Sequence, residues 1–327
     1  MPDSQYTQEL QTAIQAVREA ARICRHVQTT MSGEALEKKD RSPVTIADYA
    51  SQAVICRRIQ QRFPGDPIVG EEDAASLRQP EQAPFLDRTL QEIRQIGIDA
   101  STEDVLSWID VGNHDATAAR YWTLDPIDGT KGFLRQEQFA ISLALLIDKH
   151  IEVAALACPN LPADQGRGVL FYAVRGNGAW MQPLDRPDAA PQAVQVSHVT
   201  DVSAARLCES VESGHSAHEE SSRILAKLRI DAPPVRMDSQ AKYGAVARGD
   251  AEIYLRLPTR QGYEEKIWDH AGGVLVVEEA GGTVTDLDGA PLDFSVGPTL
   301  QRNRGVVVTN RRLHAAVLSA LKEALPG

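Results

Sequence analysis

Two apolar runs in the middle of the chain, at residues 139–147 and 151–158, constrain the fold more than any other feature. Each run has the length and the β-branched content of a strand, and only residues 148–150 separate them. This spacing predicts two paired strands joined by a tight connection. A third strand is predicted at residues 168–174, before the turn sequence RGNG. The chain is therefore expected to build a β-sheet around its centre.

Helical patterns flank the predicted sheet. Apolar residues recur at steps of three and four from Leu10 to Cys24, which predicts a long first helix that ends near Thr29. The second half alternates helix signals with strand signals, so it is expected to be α/β. The predicted helices are 216–228, 239–248, 267–280 and 311–325, and the predicted strands are 194–199, 251–257, 282–286 and 305–309. We expect an N-terminal α+β domain over residues 1–160 and a C-terminal α/β domain over residues 161–327.

The charge balance limits the classes of partner. The chain of 327 residues has 34 Lys and Arg against 45 Asp and Glu, a formal net charge of −11. This balance argues against long nucleic acids and anionic membranes as partners and favours a small-molecule substrate. The sequence has no apolar stretch of about 18 residues and no basic start followed by an apolar segment. A cytoplasmic location and a monomer are the default expectations.

Acidic residues cluster where two predicted strands end. Asp125 and Asp128 follow the strand at residues 121–124, and residues 71–73 (EED) follow a short strand at 67–69. Carboxylates within about 4–6 Å repel each other unless a cation lies between them. Oxygen ligands without Cys or His favour Mg²⁺ or Mn²⁺ over zinc. The alternative is an ordinary acidic turn in which Asp125 is an N-cap.

A third acid, Asp48, is predicted in the first turn of a helix. Thr45 precedes Asp48 by three residues, a pattern typical of a helix N-cap with an acid that bonds back to it. The helix is expected to continue to the Pro64-Gly65 pair.

Three segments together resemble a known family. Residues 70–73 (GEED), 125–130 (DPIDGT) and 267–273 (IWDHAGG) are similar to the motifs of the inositol monophosphatase-like family of metal-dependent, lithium-sensitive phosphatases. The resemblance continues through residues 42–48 and 279–282 and covers nearly the whole chain. It implies an α/β fold of the α+β kind, the layered αβαβα sandwich of the inositol monophosphatase and fructose-1,6-bisphosphatase type, with the site between the two domains.

The resemblance also implies roles for the acidic residues. Two or three Mg²⁺ ions are the expected cofactors, and Asp48 and Thr130 are expected to position and activate the attacking water. The implied metal ligands are Glu71, Asp125, the backbone carbonyl of Ile127, Asp128 and Asp269.

Three further segments resemble one branch of the family. Residues 131–135 (KGFLR), 238–243 (DSQAKY) and 254–257 (YLRL) look like those of 3′(2′),5′-bisphosphate nucleotidases. That branch removes the 3′-phosphate of 3′-phosphoadenosine 5′-phosphate to give AMP, in sulfur metabolism. The corresponding sulfated nucleotide, 3′-phosphoadenosine 5′-phosphosulfate, is a further expected substrate.

Substrate contacts are expected mainly from the second half, because the second phosphate of a bisphosphate nucleotide needs cationic side chains beyond the metal site. Lys242 and Arg256 could instead be solvated surface charges, and His215 could be an ordinary loop histidine. The expected substrate-binding residues are Gly129, Thr130, His215, Ser239, Lys242 and Arg256.

Two other functions remain open. An inositol phosphatase, acting on inositol 1,4-bisphosphate or a monophosphate, would use the same metal chemistry on a polyol. A nucleotide sensor without turnover would usually have lost an acid or the threonine, whereas every expected acid and Thr130 are present here.

Overall fold

The computed structural model describes residues 5–30, 36–37, 43–211, 218–258 and 262–324. Within these ranges no helix is long and apolar enough to cross a membrane. The expected nucleotide contact His215 lies outside the described residues.

The described residues form nine α-helices. The first two helices agree with the patterns in the sequence, and Thr45 caps the second as predicted. The helices are α1 (Thr7–Thr30), α2 (Ile46–Arg62), α3 (Ala83–Gln95), α4 (Thr102–Asp110), α5 (Thr130–Leu134), α6 (His218–Leu228), α7 (Ala241–Ala247), α8 (Ala271–Glu279) and α9 (His314–Ala324).

The described strands form three sheets, of two, five and seven strands. The large sheet has the order β3-β4-β5-β6-β7-β8-β9, and the small sheet has the order β11-β10-β12-β14-β13. The strands are β1 (Leu36–Glu37), β2 (Pro43–Val44), β3 (Ile68–Gly70), β4 (Arg120–Asp128), β5 (Ala140–Ile147), β6 (His150–Pro162), β7 (Arg167–Val174), β8 (Ala179–Pro183), β9 (Gln192–Val194), β10 (Leu207–Glu209), β11 (Val235–Arg236), β12 (Ile253–Arg256), β13 (Thr283–Thr285) and β14 (Val306–Thr309).

The seven-stranded and five-stranded sheets each bury side chains on both faces. The helices and sheets therefore stack in five layers. Leu143 and Leu145 of β5 pack in one apolar cluster with α1 and α2, whereas Ala144 and Leu146 pack in a second cluster with α7 and α8. The small sheet closes the other side of the second cluster, and its opposite face packs on α6 and α9. This order of helices, sheet, helices, sheet and helices confirms the predicted αβαβα sandwich.

Three predicted elements differ from the structure. The strand predicted at 121–124 is longer, because β4 continues through a bulge and includes Asp125 and Asp128, which were expected to follow it. The strand predicted at 194–199 is wrong in position, because β9 ends at Val194 and Val196 then bonds through its amide to the carbonyl of Ala280. The helix predicted over 267–280 is divided into a 3₁₀ turn at Ile267–Asp269 and α8. The two parts are separated by His270, whose backbone angles are not helical (φ −132°, ψ −41°).

The large sheet also continues beyond residue 160, the boundary predicted between the domains. β6 spans that residue, and β7 to β9 extend the same sheet to Val194. The division of the chain into two domains stays a prediction.

Candidate active site

Two of the predicted metal ligands lie side by side where β3 ends: Glu71 follows β3, and Asp125 lies in the neighbouring strand β4. β3 and β4 are parallel, and their register places Gly70 next to Leu124. The amide of Glu71 donates to the carbonyl of Leu124 at 3.2 Å. Glu71 and Asp125 therefore follow paired positions, and burial and then the neighbouring Glu71 raise the pKa of the Asp125 carboxyl. Like-charged groups so close are unfavourable without a cation.

The turn that follows is shaped by a bulge and by one glycine. The register of β4 against β5 shifts between Asp125 and Asp128. Gly129 then adopts φ 88°, a left-handed conformation that favours glycine, and α5 begins at Thr130. A Cβ on Gly129 would lie 3.0 Å from the Cβ of Ser239, so the turn also packs closely on the second half. Asp128 accepts a 2.5 Å hydrogen bond from the amide of Gln240 across this contact.

Asp48 is fixed by its own helix cap and faces Thr130. It is fully buried, and its Oδ2 accepts from both the amide and the hydroxyl of Thr45, at 2.7 and 2.6 Å. The other oxygen, Oδ1, lies 3.4 Å from Oγ1 of Thr130. The same hydroxyl lies 3.3 Å from the carbonyl oxygen of Ile127, the predicted backbone ligand. The structure thus brings the predicted water-activating pair together beside the acidic turn.

Asp269 comes from the second half of the chain and forms an ion pair with a buried arginine. Nη2 of Arg256 donates to Oδ2 of Asp269 at 3.0 Å, and Nε lies 2.7 Å from Oε2 of Glu265. Glu265 also bonds Nε2 of His270, whose Nδ1 bonds the hydroxyl of Tyr243 at 2.7 Å. Although burial favours its neutral form, Arg256 and His270 lower the pKa of Glu265 to about 2. Arg256, predicted to contact substrate, therefore already pairs with two acids.

Electrostatics support a divalent cation in this cluster. Burial raises the pKa of Asp125 well above its ordinary range, and Glu71, Asp128 and Asp269 raise it further. Burial also raises the pKa of Asp269 to about 7, even though Arg256 opposes the shift. Oδ1 of Asp125 is buried and has no hydrogen-bond partner among the described residues. A buried carboxylate oxygen with no donor, next to further carboxylates, suits a hard cation such as Mg²⁺.

A second group of possible ligands is less suitable. Glu265, Asp269 and His270 offer atoms within 4.8 Å of one another. However, the guanidinium of Arg256 already bonds both acids of this group, so a positive charge is in place there.

The predicted phosphate contacts Ser239 and Lys242 lie across the turn from Asp128. Ser239 adopts φ 72°, and its Oγ accepts from the amide of Ala241 at the start of α7. Lys242 is 2 % exposed, with its Nζ 3.2 Å from the carbonyl of Met237 and 5.1 Å from the ring centroid of Tyr254. Burial lowers the pKa of Lys242 to about 8, and Asp128 and Asp238 oppose this shift. Lys242 is therefore not a solvated surface lysine.

Four residues at the site were not among the predicted site residues: Thr45, Gln240, Glu265 and His270. Thr45 was recognised only as a helix cap. Buried polar residues such as Gln240 and Glu265 have no pattern of their own in the sequence, because their bonds join segments that are distant along the chain.

Comparisons with known proteins agree with this fold. The model of the inositol monophosphatase family matches residues 5–325. A 3′(2′),5′-bisphosphate nucleotidase of Schizosaccharomyces pombe is 44% identical and covers 95% of this chain and 94% of its own length. The 3′(2′),5′-bisphosphate nucleotidase 1 of Arabidopsis thaliana is 43% identical, with coverage of 98% and 97%.

Solved structures are similar in fold at lower identity. An IMPase of Thermotoga maritima matches with a TM-score of 0.67 at 19% identity and covers 97% of this chain and 98% of its own. An inositol monophosphatase from Anabaena matches with a TM-score of 0.64 at 22% identity, with coverage of 99% and 98%. At such identities the likeness shows the shared fold alone.

Proposed function

The chain belongs to the inositol monophosphatase family, and we propose that it is a magnesium-dependent 3′(2′),5′-bisphosphate nucleotidase. It would remove the 3′-phosphate of 3′-phosphoadenosine 5′-phosphate and leave AMP and phosphate. The observation that carries the proposal is the closeness of two groups from different halves of the chain. Lys242, a buried cation of the second half, interacts with the charge of Asp128 in the acidic turn at residues 125–130. The names and near full-length coverage of the relatives support the nucleotide as substrate.

In this proposal the acidic cluster would hold two or three Mg²⁺ ions. When bound, such ions acidify a water molecule and neutralise the oxygen that leaves in a phosphate-monoester hydrolysis. The residues that would hold them are Glu71, Asp125, the carbonyl of Ile127, Asp128 and Asp269. Hydrogen bonds of the surrounding fold fix two of these acids, because the amide of Glu71 bonds Leu124 in β4 and the carboxylate of Asp128 accepts from the amide of Gln240.

Asp48 and Thr130 would act as the base for the attacking water. Oδ2 of Asp48 accepts two hydrogen bonds from Thr45, and Oδ1 is the oxygen that faces the hydroxyl of Thr130. In this arrangement Thr130 donates its proton to Asp48, and its oxygen accepts a proton from the water and orients it. The burial of Asp48 keeps this pair in one geometry.

Lys242 and Ser239 would bind the part of the nucleotide that the metals do not hold. Lys242 is buried beside Asp128 and Arg256, so a second anionic group of the substrate would meet a desolvated cation. Arg256 would contact the substrate from its place between Glu265 and Asp269. The sulfated nucleotide, which keeps the 3′-phosphate and an anionic 5′ group, would be accepted for the same reason.

Phosphate release in Mg²⁺ tests the proposal, with 3′-phosphoadenosine 5′-phosphate, its sulfated form, inositol 1-phosphate and inositol 1,4-bisphosphate as parallel substrates. We expect kcat/KM for the nucleotide to exceed that for the inositol phosphates by about 100-fold or more. Asp125→Asn, which removes one carboxylate charge without changing its size, serves as the inactive control.

Each other result has a defined meaning. A preference for either inositol phosphate would keep the metal chemistry and overturn the substrate assignment. Absence of release from all four compounds would support the sensor instead.

A further inference from the structure

Gln240 occupies an unusual place in the site. It is 1 % exposed, and it stands between Ser239, which has φ 72°, and the first residue of α7. Its side chain has one acceptor oxygen and one donor nitrogen, and both are bonded. A buried amide with every heavy polar atom in use fixes the segments that it joins.

The side chain of Gln240 joins three segments. Its Oε1 accepts from Oγ of Ser142 in β5 at 3.0 Å and from the amide of Gly273 in α8 at 3.2 Å. Its Nε2 donates to the carbonyl of Trp268 at 2.9 Å. Trp268 directly precedes Asp269, so the side chain fixes the turn that presents this acid.

The backbone of Gln240 joins a fourth segment. Its amide donates to Oδ2 of Asp128 at 2.5 Å. One residue therefore bonds the carboxylate of Asp128 with its main chain and the turn of Asp269 with its side chain. The two acids come from opposite halves of the chain, so the distance between them depends on contacts between distant segments.

We propose that Gln240 is a positioning residue that holds Asp128 and the turn of Asp269 at the separation that a shared divalent cation requires. The inference rests on the proposed function, because it assumes that both acids bind metal. Gln240 itself touches neither substrate nor cation. Its effect is pre-organisation: metal binding then needs no rearrangement of the two halves.

Replacing the amide leaves specific groups without partners. Gln240→Met keeps the length and approximate volume of the side chain but leaves the Trp268 carbonyl and the Gly273 amide unbonded in a buried place. The turn that carries Asp269 is then no longer bonded to the side chain of residue 240. The bond from the amide of residue 240 to Asp128 is retained.

Manganese binding, followed by the electron paramagnetic resonance of free Mn²⁺, tests this inference without substrate. We expect Gln240→Met to weaken Mn²⁺ binding by about 10- to 100-fold. In Mg²⁺ assays the metal concentration for half-maximal phosphate release should rise by a similar factor, and KM for the nucleotide at saturating Mg²⁺ should change by less than about twofold. Circular dichroism and thermal unfolding check that the variant folds.

Gln182→Met is the matched control. Gln182 is 7 % exposed in β8, and its side chain also bonds through both polar atoms, to Arg18 and to the carbonyl of Ala189. It takes no part in the acidic cluster, so its variant should bind Mn²⁺ like the parent. A comparable loss of affinity in both variants would show general destabilisation and overturn the inference.

Ser142→Ala is a second test that leaves Gln240 in place. It removes one of the bonds to Oε1, and we expect about a threefold loss of Mn²⁺ affinity. Unchanged affinity in Gln240→Met, or in Ser142→Ala if Gln240→Met does not fold, would overturn the positioning role. Failure of the proposed function is distinct, because it would appear in the parent protein as absent metal binding or absent phosphate release.

Discussion

The guanidinium of Arg256 lies against Asp269, with Nη2 and Oδ2 3.0 Å apart. Both side chains are largely buried, and Glu265 bonds the same guanidinium through Nε at 2.7 Å. A cation in this place would compete with a metal ion for Asp269. Glu265 balances that cation, and because the pKa of Glu265 is lowered to about 2, it does so at any ordinary pH.

The first prediction concerns this balance. Glu265→Gln removes the charge but keeps the shape, so Arg256 should pair more tightly with Asp269 and oppose metal binding there. We expect the Mg²⁺ concentration for half-maximal phosphate release to rise by about 10-fold. Glu264→Gln is the control, because Glu264 is exposed and bonds only the hydroxyl of Thr299 among the described contacts. An unchanged Mg²⁺ requirement in Glu265→Gln would contradict this account of Arg256.

The second prediction concerns the water-activating pair. Thr130→Val keeps the side-chain volume and removes the hydroxyl that faces Asp48. We expect kcat to fall by about 10²- to 10⁴-fold, with little change in thermal stability. Thr117→Val removes a similar bond between threonine and aspartate on the surface, to Asp115, and should leave kcat unchanged. Near-normal turnover in Thr130→Val would exclude the proposed base.

The third prediction is a pH dependence of substrate binding. Burial lowers the pKa of Lys242 to about 8, so the ammonium loses its charge as the pH rises through that value. Phosphate monoesters are already doubly ionised there, since their second pKa is about 6. KM for the nucleotide should therefore increase above about pH 8. Lys242→Met should raise KM at pH 7 and remove this step; a step that persists in the variant would assign it to another group.

The fourth prediction concerns stability beside the site. A Cβ on Gly273 in α8 would lie 2.4 Å from Cγ of the Tyr243 ring, which is itself held by the bond to His270. We expect Gly273→Ala to lower the free energy of unfolding by about 1–3 kcal/mol through overpacking. Gly65→Ala is the control, because nothing lies within 4 Å of the corresponding Cβ. Equal unfolding midpoints for both variants in urea would count against the close packing of α8 on Tyr243.

Local patterns allowed much of the fold to be predicted from the sequence. The cap of α2 depends on Thr45 and Asp48, three residues apart, and the turn at Gly129 depends on a residue that tolerates positive φ. Both are short-range features, so the residues alone determine them.

The remaining features depend on contacts between distant segments. The sequence identified Arg256 as a candidate phosphate ligand but gave no indication of its pairing with Glu265 and Asp269. Gln240 was not recognised, because its partners Ser142, Trp268 and Gly273 lie up to 98 residues away along the chain. Buried polar networks arise from packing of the layers, which periodicity does not encode.

The proposed reaction is best tested by identifying the products formed from 3′-phosphoadenosine 5′-phosphate in Mg²⁺. Phosphorus NMR of the reaction distinguishes loss of the 3′-phosphate from loss of the 5′-phosphate, and excess EDTA gives the metal-free comparison. We expect AMP and inorganic phosphate in equal amounts, with no turnover after chelation. Adenosine 3′-phosphate as the product, unchanged nucleotide, or equal turnover in EDTA would contradict it.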